Sequence, residues 1–183
     1  MYSDLGLRFN TPTINLSFAE NRSFYMFVAH IKDYIQNGTL TESRKKEHHP
    51  HFPNAPIGIL HCGNMPDLEI HFLHYSTFEE AREKWFTRSK RVNFDKIFLV
   101  IEAQSEYEKS LIPLYVDLPY KKVIFTDANY PYSCCLKMSF YSKYGVGIDY
   151  PILKLCSVFG RRGYDEFDYV NEIFKRKDWS TKI

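Results

Sequence analysis

Apolar residues recur at spacings of three and four through Phe24, Phe27, Val28, Ile31, Tyr34 and Ile35. This pattern predicts one amphipathic helix with a single stripe turned toward a sheet. Asn21 is placed to cap its start and Gly38 to close it. Residues 13–18 read as the strand before this helix, whereas 39–56 turn polar and hold three of the seven histidines. That stretch is expected to be a long, mobile or lid-like loop. Two apolar runs follow at 57–61 and 68–74, joined by only 62–67. So short a link cannot make a parallel crossover, which predicts an antiparallel hairpin.

The second of these runs leads into Ser76-x-x-Glu79, a capping-box pattern. The helix it opens, over 77–91, turns Phe78, Ala81 and Trp85 inward and sets Glu80 and Lys84 at i,i+4 on the outside. The run within 96–101 fits a fully buried, central parallel strand. A helix over 105–116 carries Tyr107, Leu111, Leu114 and Tyr115, and Pro113 inside it predicts a kink or a late start. Residues 122–126 read as the next strand, 137–141 as an edge strand, and 164–175 as a last helix with Phe167, Val170, Ile173 and Phe174 inward. The order of elements predicts a single α/β domain over 1–183, a three-layer α/β/α sandwich around a mixed, mainly parallel sheet.

Composition narrows the function classes. A net charge of +2 and scattered pairs such as Lys90-Arg91 and Lys121-Lys122 supply no basic stripe for nucleic acid. No apolar run reaches the roughly 20 residues of a membrane-spanning helix. Met1 to Arg8 lacks the apolar stretch of a signal peptide. Cys62, Cys134, Cys135 and Cys156 show neither metal spacing nor a secreted disulfide framework. A cytoplasmic, reduced setting is therefore expected. The 15 Phe and 14 Tyr read as core rather than as a stacking surface.

Four blocks of the chain resemble a known family. They are 4–16 (Asp-Leu-Gly-Leu-Arg-Phe-Asn-Thr-Pro-Thr-Ile-Asn-Leu), 67–75 with Phe78, Glu79, Glu80, Ala81 and Trp85, then 118–121 (Leu-Pro-Tyr-Lys), and 164–168 (Tyr-Asp-Glu-Phe-Asp). They resemble a bacterial domain-of-unknown-function family labelled as exopolysaccharide or capsule biosynthesis proteins. The resemblance runs in order over nearly the whole chain and implies a three-layer α/β/α fold. It supplies no catalytic residues. Related chains carry a further strand and an Asn-Cys-Trp-Gly-Gly-like turn before the Asp4 block, so an N-terminal strand is expected to be missing here.

The candidate chemistry sits where strands end, the usual ligand position of open α/β sheets. Glu102 and Asp127 follow two expected parallel strands and are candidate catalytic carboxylates. His74, Ser76, Asn129 and Tyr130 are candidate substrate-binding groups on the same reasoning. Arg161 and Arg162, just ahead of the last expected helix, are the candidate phosphate-binding pair. Each has a plainer reading as a cap, a turn or a basic surface. His71 and His74 point to opposite faces of a strand and cannot ligate one metal from it, whereas Glu69 and His71 share a face as an acid–histidine pair.

The 47–51 run Glu-His-His-Pro-His lacks zinc spacing. Cys62 reads as an inert thiol, and Gly145-Val-Gly147 and Gly160 to Gly163 lack the setting of a dinucleotide loop. These residues specify no cofactor, metal or oligomeric state. Three classes stay open: an enzyme acting on a sugar, sugar phosphate or nucleotide sugar in surface-polysaccharide biosynthesis, a non-catalytic accessory or binding domain of the same pathway, and, more remotely, a structural dimer module without a ligand.

Overall fold

The computed structural model describes residues 10–45, 49 and 52–138, in two compact units that divide after Lys96. The expected helix at 164–175, Arg161, Arg162, Cys156 and the glycine pairs beyond 144 lie outside the described residues.

In the first unit, strand alternation sets the architecture. Strands β1 (Ser17–Phe18), β2 (Thr39–Glu42), β3 (Ile57–His61) and β4 (Leu68–His71) form an antiparallel sheet in the order β1-β4-β3-β2. The register places Leu40 opposite Leu60 and Leu60 opposite Leu68, while Ile70 lies between Gly58 and Phe18. These residues line the inner face. The expected hairpin of β3 and β4 is present, though β4 ends at His71 rather than His74. Strand β2 falls inside the stretch expected to be a loop. Thr39-Leu40-Thr41-Glu42 alternates as a strand does, but buries only Leu40, so one apolar residue was its whole sequence signature.

Helices α1 (Asn21–Ala29) and α2 (Ile31–Asn37) replace the single expected helix, with the break at His30. The stripe survives the break: Phe27, Val28, Ile31, Tyr34 and Ile35 are all buried. Asn21 is the first helical residue and not the cap; that position belongs to Glu20, whose side chain makes no capping bond. Helix α3 (Phe78–Ser89) buries Phe78, Ala81 and Trp85 as expected. Its cap lies one residue later than the Ser76–Glu79 pattern suggests. Thr77 accepts from the Glu80 N–H at 3.2 Å, and the Glu80 carboxylate turns back to accept from the Ser76 N–H at 3.3 Å.

Aromatic rings join these helices to the sheet. Trp85 meets Phe27 at 6.0 Å and Phe72 at 6.4 Å between centroids, and Phe72 also meets Phe78 at 6.5 Å. Tyr34 packs against Phe27 and donates its hydroxyl to the Pro66 carbonyl at 2.7 Å, anchoring α2 to the hairpin turn. Gly58 is the gap that lets Phe72 and Phe78 approach, since a Cβ there would stand 3.0 Å from each ring.

The second unit is a β-α-β arrangement. Strands β5 (Phe98–Ala103), β6 (Lys121–Thr126) and β7 (Cys135–Lys137) run parallel in the order β5-β6-β7. The connection from β5 to β6 is long enough for a crossover and carries α4 (Glu106–Ser110) and α5 (Ile112–Val116). Ser105 and Glu108 form a reciprocal capping box at the start of α4. The chain breaks at Leu111, ahead of Pro113, as the proline foretold. The break rotates the buried face: Ile112, Tyr115 and Val116 go inward, while Tyr107 and Leu114 are exposed.

The sheets therefore differ from the expected single, mainly parallel one: the first is antiparallel and only the second is parallel. Among the described strands, β6 rather than β5 is central, and Val100 of β5 is 40% exposed. The edge strand begins at Cys135 instead of residue 137. Within β6, Lys122 is fully buried and its ammonium donates to the carbonyls of Val116 and Leu118, capping the end of α5. Burial pulls its pKa below the ordinary lysine value.

Replacing Gly58 with Ala overpacks the Phe72–Phe78 contact and is expected to cost about 1–3 kcal/mol. Urea unfolding measures this, and an unchanged midpoint would contradict the packing described.

Candidate functional site

At the carboxyl ends of β5 and β6, the last paired residues are Ala103 and Thr126, so Gln104 and Asp127 leave the sheet side by side in register. Asp127 accepts from the Lys109 ammonium at 2.8 Å, and Lys109 also reaches Glu106 at 2.9 Å. Lys109 comes from helix α4, which follows β5 directly. Hydrogen bonds from Lys109 to Asp127 first, then to Glu106, push its pKa well above the ordinary lysine range despite burial. The second Asp127 oxygen, Oδ1, is buried without a hydrogen-bond partner. Thr126 fixes the turn beneath by donating its hydroxyl to the Ala128 carbonyl at 2.8 Å.

Glu102 accepts from the Gln104 side-chain amide at 2.8 Å. Tyr130 stands within electrostatic reach of Lys109 and Asp127, and burial raises its hydroxyl pKa. Asn129 is exposed. The parallel strand ends thus carry carboxylate, ammonium, amide and phenol groups, a donor and acceptor set suited to a polyhydroxylated ligand.

In the first unit a different cluster forms on the outer face of the antiparallel sheet. There Thr41, Ile59 and Glu69 are neighbours across β2, β3 and β4, and His71 lies between Ile57 and Ser17. His71 Nε2 faces Glu69 Oε1 at 3.1 Å, and Lys45 reaches Glu69 Oε2 at 2.7 Å. Burial would raise the Glu69 pKa, but the hydrogen bonds from Lys45 and His71 outweigh it, and the net shift is downward. Two residues along, His61 bridges Asp67 Oδ1 through Nδ1 at 2.7 Å and Thr41 Oγ1 through Nε2 at 2.8 Å.

The structure sorts the expected residues accordingly. Glu102, Asp127, Asn129 and Tyr130 all belong to the parallel strand ends or the turn after them, with Lys109 against Asp127. His74 and Ser76 do not follow a parallel strand; they come after β4 of the antiparallel sheet in the first unit. Ser76 is not the helix cap, and the exposed His74 ring packs edge-on against Phe52 at 5.1 Å. The acid–histidine pair of Glu69 and His71 is present. Cys62 is buried, donates to the Asp33 carbonyl at 3.4 Å and has its pKa raised by burial and then by Asp33, which suits an inert thiol.

Lys109 was absent from the expected set. Its partner Asp127 lies 18 residues on, and no sequence spacing couples a helical lysine to the following strand end. Among the described residues, no group of three or more His, Cys, Asp or Glu is placed to hold a metal ion. Nor is any helix among them long and apolar enough to cross a membrane.

The described folds define an α/β protein with one antiparallel and one parallel sheet. Comparison with known sequences then gives its family: the chain belongs to the domain of unknown function DUF1919, which matches residues 1–174. It is also similar to an uncharacterized protein of Haemophilus influenzae, 32% identical over 174 residues, covering 91% of this chain and 75% of that protein.

Glu69→Gln removes a carboxylate held by two cations or donors and is expected to cost about 1–3 kcal/mol at neutral pH. Because the folded pKa of Glu69 lies below its unfolded value near 4.5, that stability is full above about pH 4.5. It is lost as pH falls through the folded pKa. Denaturation of both proteins across pH 3–7 checks this: the gap should close toward the acid end, and a constant gap would argue against the ion pairs.

Proposed function

We propose that the chain binds, and acts on, a sugar phosphate or nucleotide sugar in the cytoplasmic assembly of a bacterial surface polysaccharide. The observation that carries this reading is the Asp127–Lys109 pair at adjacent parallel strand ends, with a buried carboxylate oxygen still lacking a donor. Vicinal sugar hydroxyls would donate to Asp127 and Glu102, while the Gln104 amide offers both donor and acceptor. Arg161 and Arg162 would hold the phosphate. The polysaccharide label implied by the sequence resemblance supports this reading.

A second reading, a non-catalytic binding domain in the same pathway, draws on the same pair. A carboxylate held by a lysine at 2.8 Å can anchor a sugar hydroxyl without any proton transfer. Turnover separates the two.

Thermal unfolding with nucleotide sugars, sugar phosphates and free nucleotides, each with and without Mg²⁺ or Mn²⁺, tests the proposal. A ligand at 100 times its Kd should stabilise the chain by about 2.7 kcal/mol. Asp127→Asn and Lys109→Met should each weaken that response at least tenfold. Consumption of the ligand identifies an enzyme, and binding without consumption an accessory domain. No response to any of these ligands, or a response indifferent to both substitutions, contradicts the proposal.

A further inference from the structure

His71 is 7% exposed, and its Nδ1 is buried with no hydrogen-bond partner among the described residues. Its other nitrogen is committed to Glu69 Oε1 at 3.1 Å. An ionised carboxylate only accepts, and Lys45 at 2.7 Å holds Glu69 in that form. In the neutral ring the proton is therefore on Nε2, and Nδ1 presents a lone pair. A buried acceptor with nothing to accept calls for an explanation.

The surroundings limit what could satisfy it. An anion would meet the lone pair and the Glu69 carboxylate, and an ammonium would meet the Lys45 charge. A purely apolar group would leave Nδ1 as it is. A neutral donor remains, and a hydroxyl is the smallest that fits.

Next to His71, the rings of His49, Phe52 and His74 follow one another. Centroids are 6.0 Å apart from His71 to His49, 5.4 Å from His49 to Phe52 and 5.1 Å from Phe52 to His74. This row leads from the buried His71 past two half-buried rings to the exposed His74. Aromatic faces carry partial negative charge, and the C–H face of a pyranose suits them.

We propose that this row and His71 Nδ1 form a binding site for a hydroxyl-bearing ring of the monosaccharide class. One hydroxyl donates to Nδ1, and the sugar ring lies against Phe52, beside His49. Glu69 and Lys45 act as positioning residues that fix the His71 tautomer. The site lies wholly within the first unit and does not rest on the reading of Asp127 and Lys109.

Calorimetric titration of the full chain with glucose, galactose, mannose and N-acetylglucosamine, one at a time, tests this. At least one should bind saturably. His71→Phe should abolish that binding, and His71→Asn, whose side-chain oxygen lies near the place of Nδ1, should retain part of it. Phe52→Ala, at a half-buried position, should weaken binding at least tenfold and decides the matter if His71→Phe fails to fold. Leu114→Ala, at an exposed position outside both sites, should leave this binding unchanged. The proposal is overturned if none of the four sugars binds up to 50 mM, or if binding survives Phe52→Ala undiminished. Loss of binding in Asp127→Asn alone would assign it to the parallel strand ends instead.

Discussion

A β-strand points successive side chains to opposite sides, and in the antiparallel sheet that rule governs both the core and the polar face. Leu40, Leu60, Leu68 and Ile70 must face Phe27, Phe72 and Trp85, because those aromatics supply the apolar bulk that holds α1 and α3 to the sheet. Once they do, Thr41, His61, Glu69 and His71 fall on the other side, at positions set by the same register. The acid–histidine contacts on the outer face are thus by-products of core packing. A slip of one residue in β4 would send Glu69 and His71 into the aromatic core and expose Leu68 and Ile70.

In the parallel unit the corresponding constraint is the crossover. A chain that returns parallel must carry a connection over the sheet, and here that connection is broken into two short helices by Pro113. The second helix ends on the Lys122 ammonium, which donates to the carbonyls of Val116 and Leu118. The first helix places Lys109 against Asp127. One buried lysine thereby secures the crossover and another equips the strand ends, through local choices that no motif records.

What was legible in the sequence follows from how much apolar surface each element commits. The hairpin, α3 with its Phe78-Ala81-Trp85 face, and β6 could all be read because several buried residues repeat at one period. Strand β2 could not, since only Leu40 turns inward. The break at His30 and the shifted cap at Thr77 depend on backbone angles that neighbouring serines, threonines and asparagines serve equally well. The parallel character extends less far than expected: beyond the hairpin over 57–74, β1 and β2 also pair antiparallel, and strands of two and four residues do not show their direction in sequence. Of the site, the strand-end carboxylates were legible from position. Lys109 was not, because a contact across 18 residues exists only after folding. The Glu69–His71 pair was legible from alternation alone, but the unpartnered Nδ1 is a fact of packing.

The central claim is that packing on one face of the sheet fixes a donor–acceptor arrangement on the other, with His71 held by Glu69 through Nε2. Long-range ¹H–¹⁵N correlation spectra of the histidine side chains at pH 8 test it most directly. The account predicts that His71 carries its proton on Nε2 and leaves Nδ1 bare, with the Nε2 resonance moving when Glu69 is changed to Gln. A proton on Nδ1, or a His71 ring indifferent to Glu69→Gln, would contradict it.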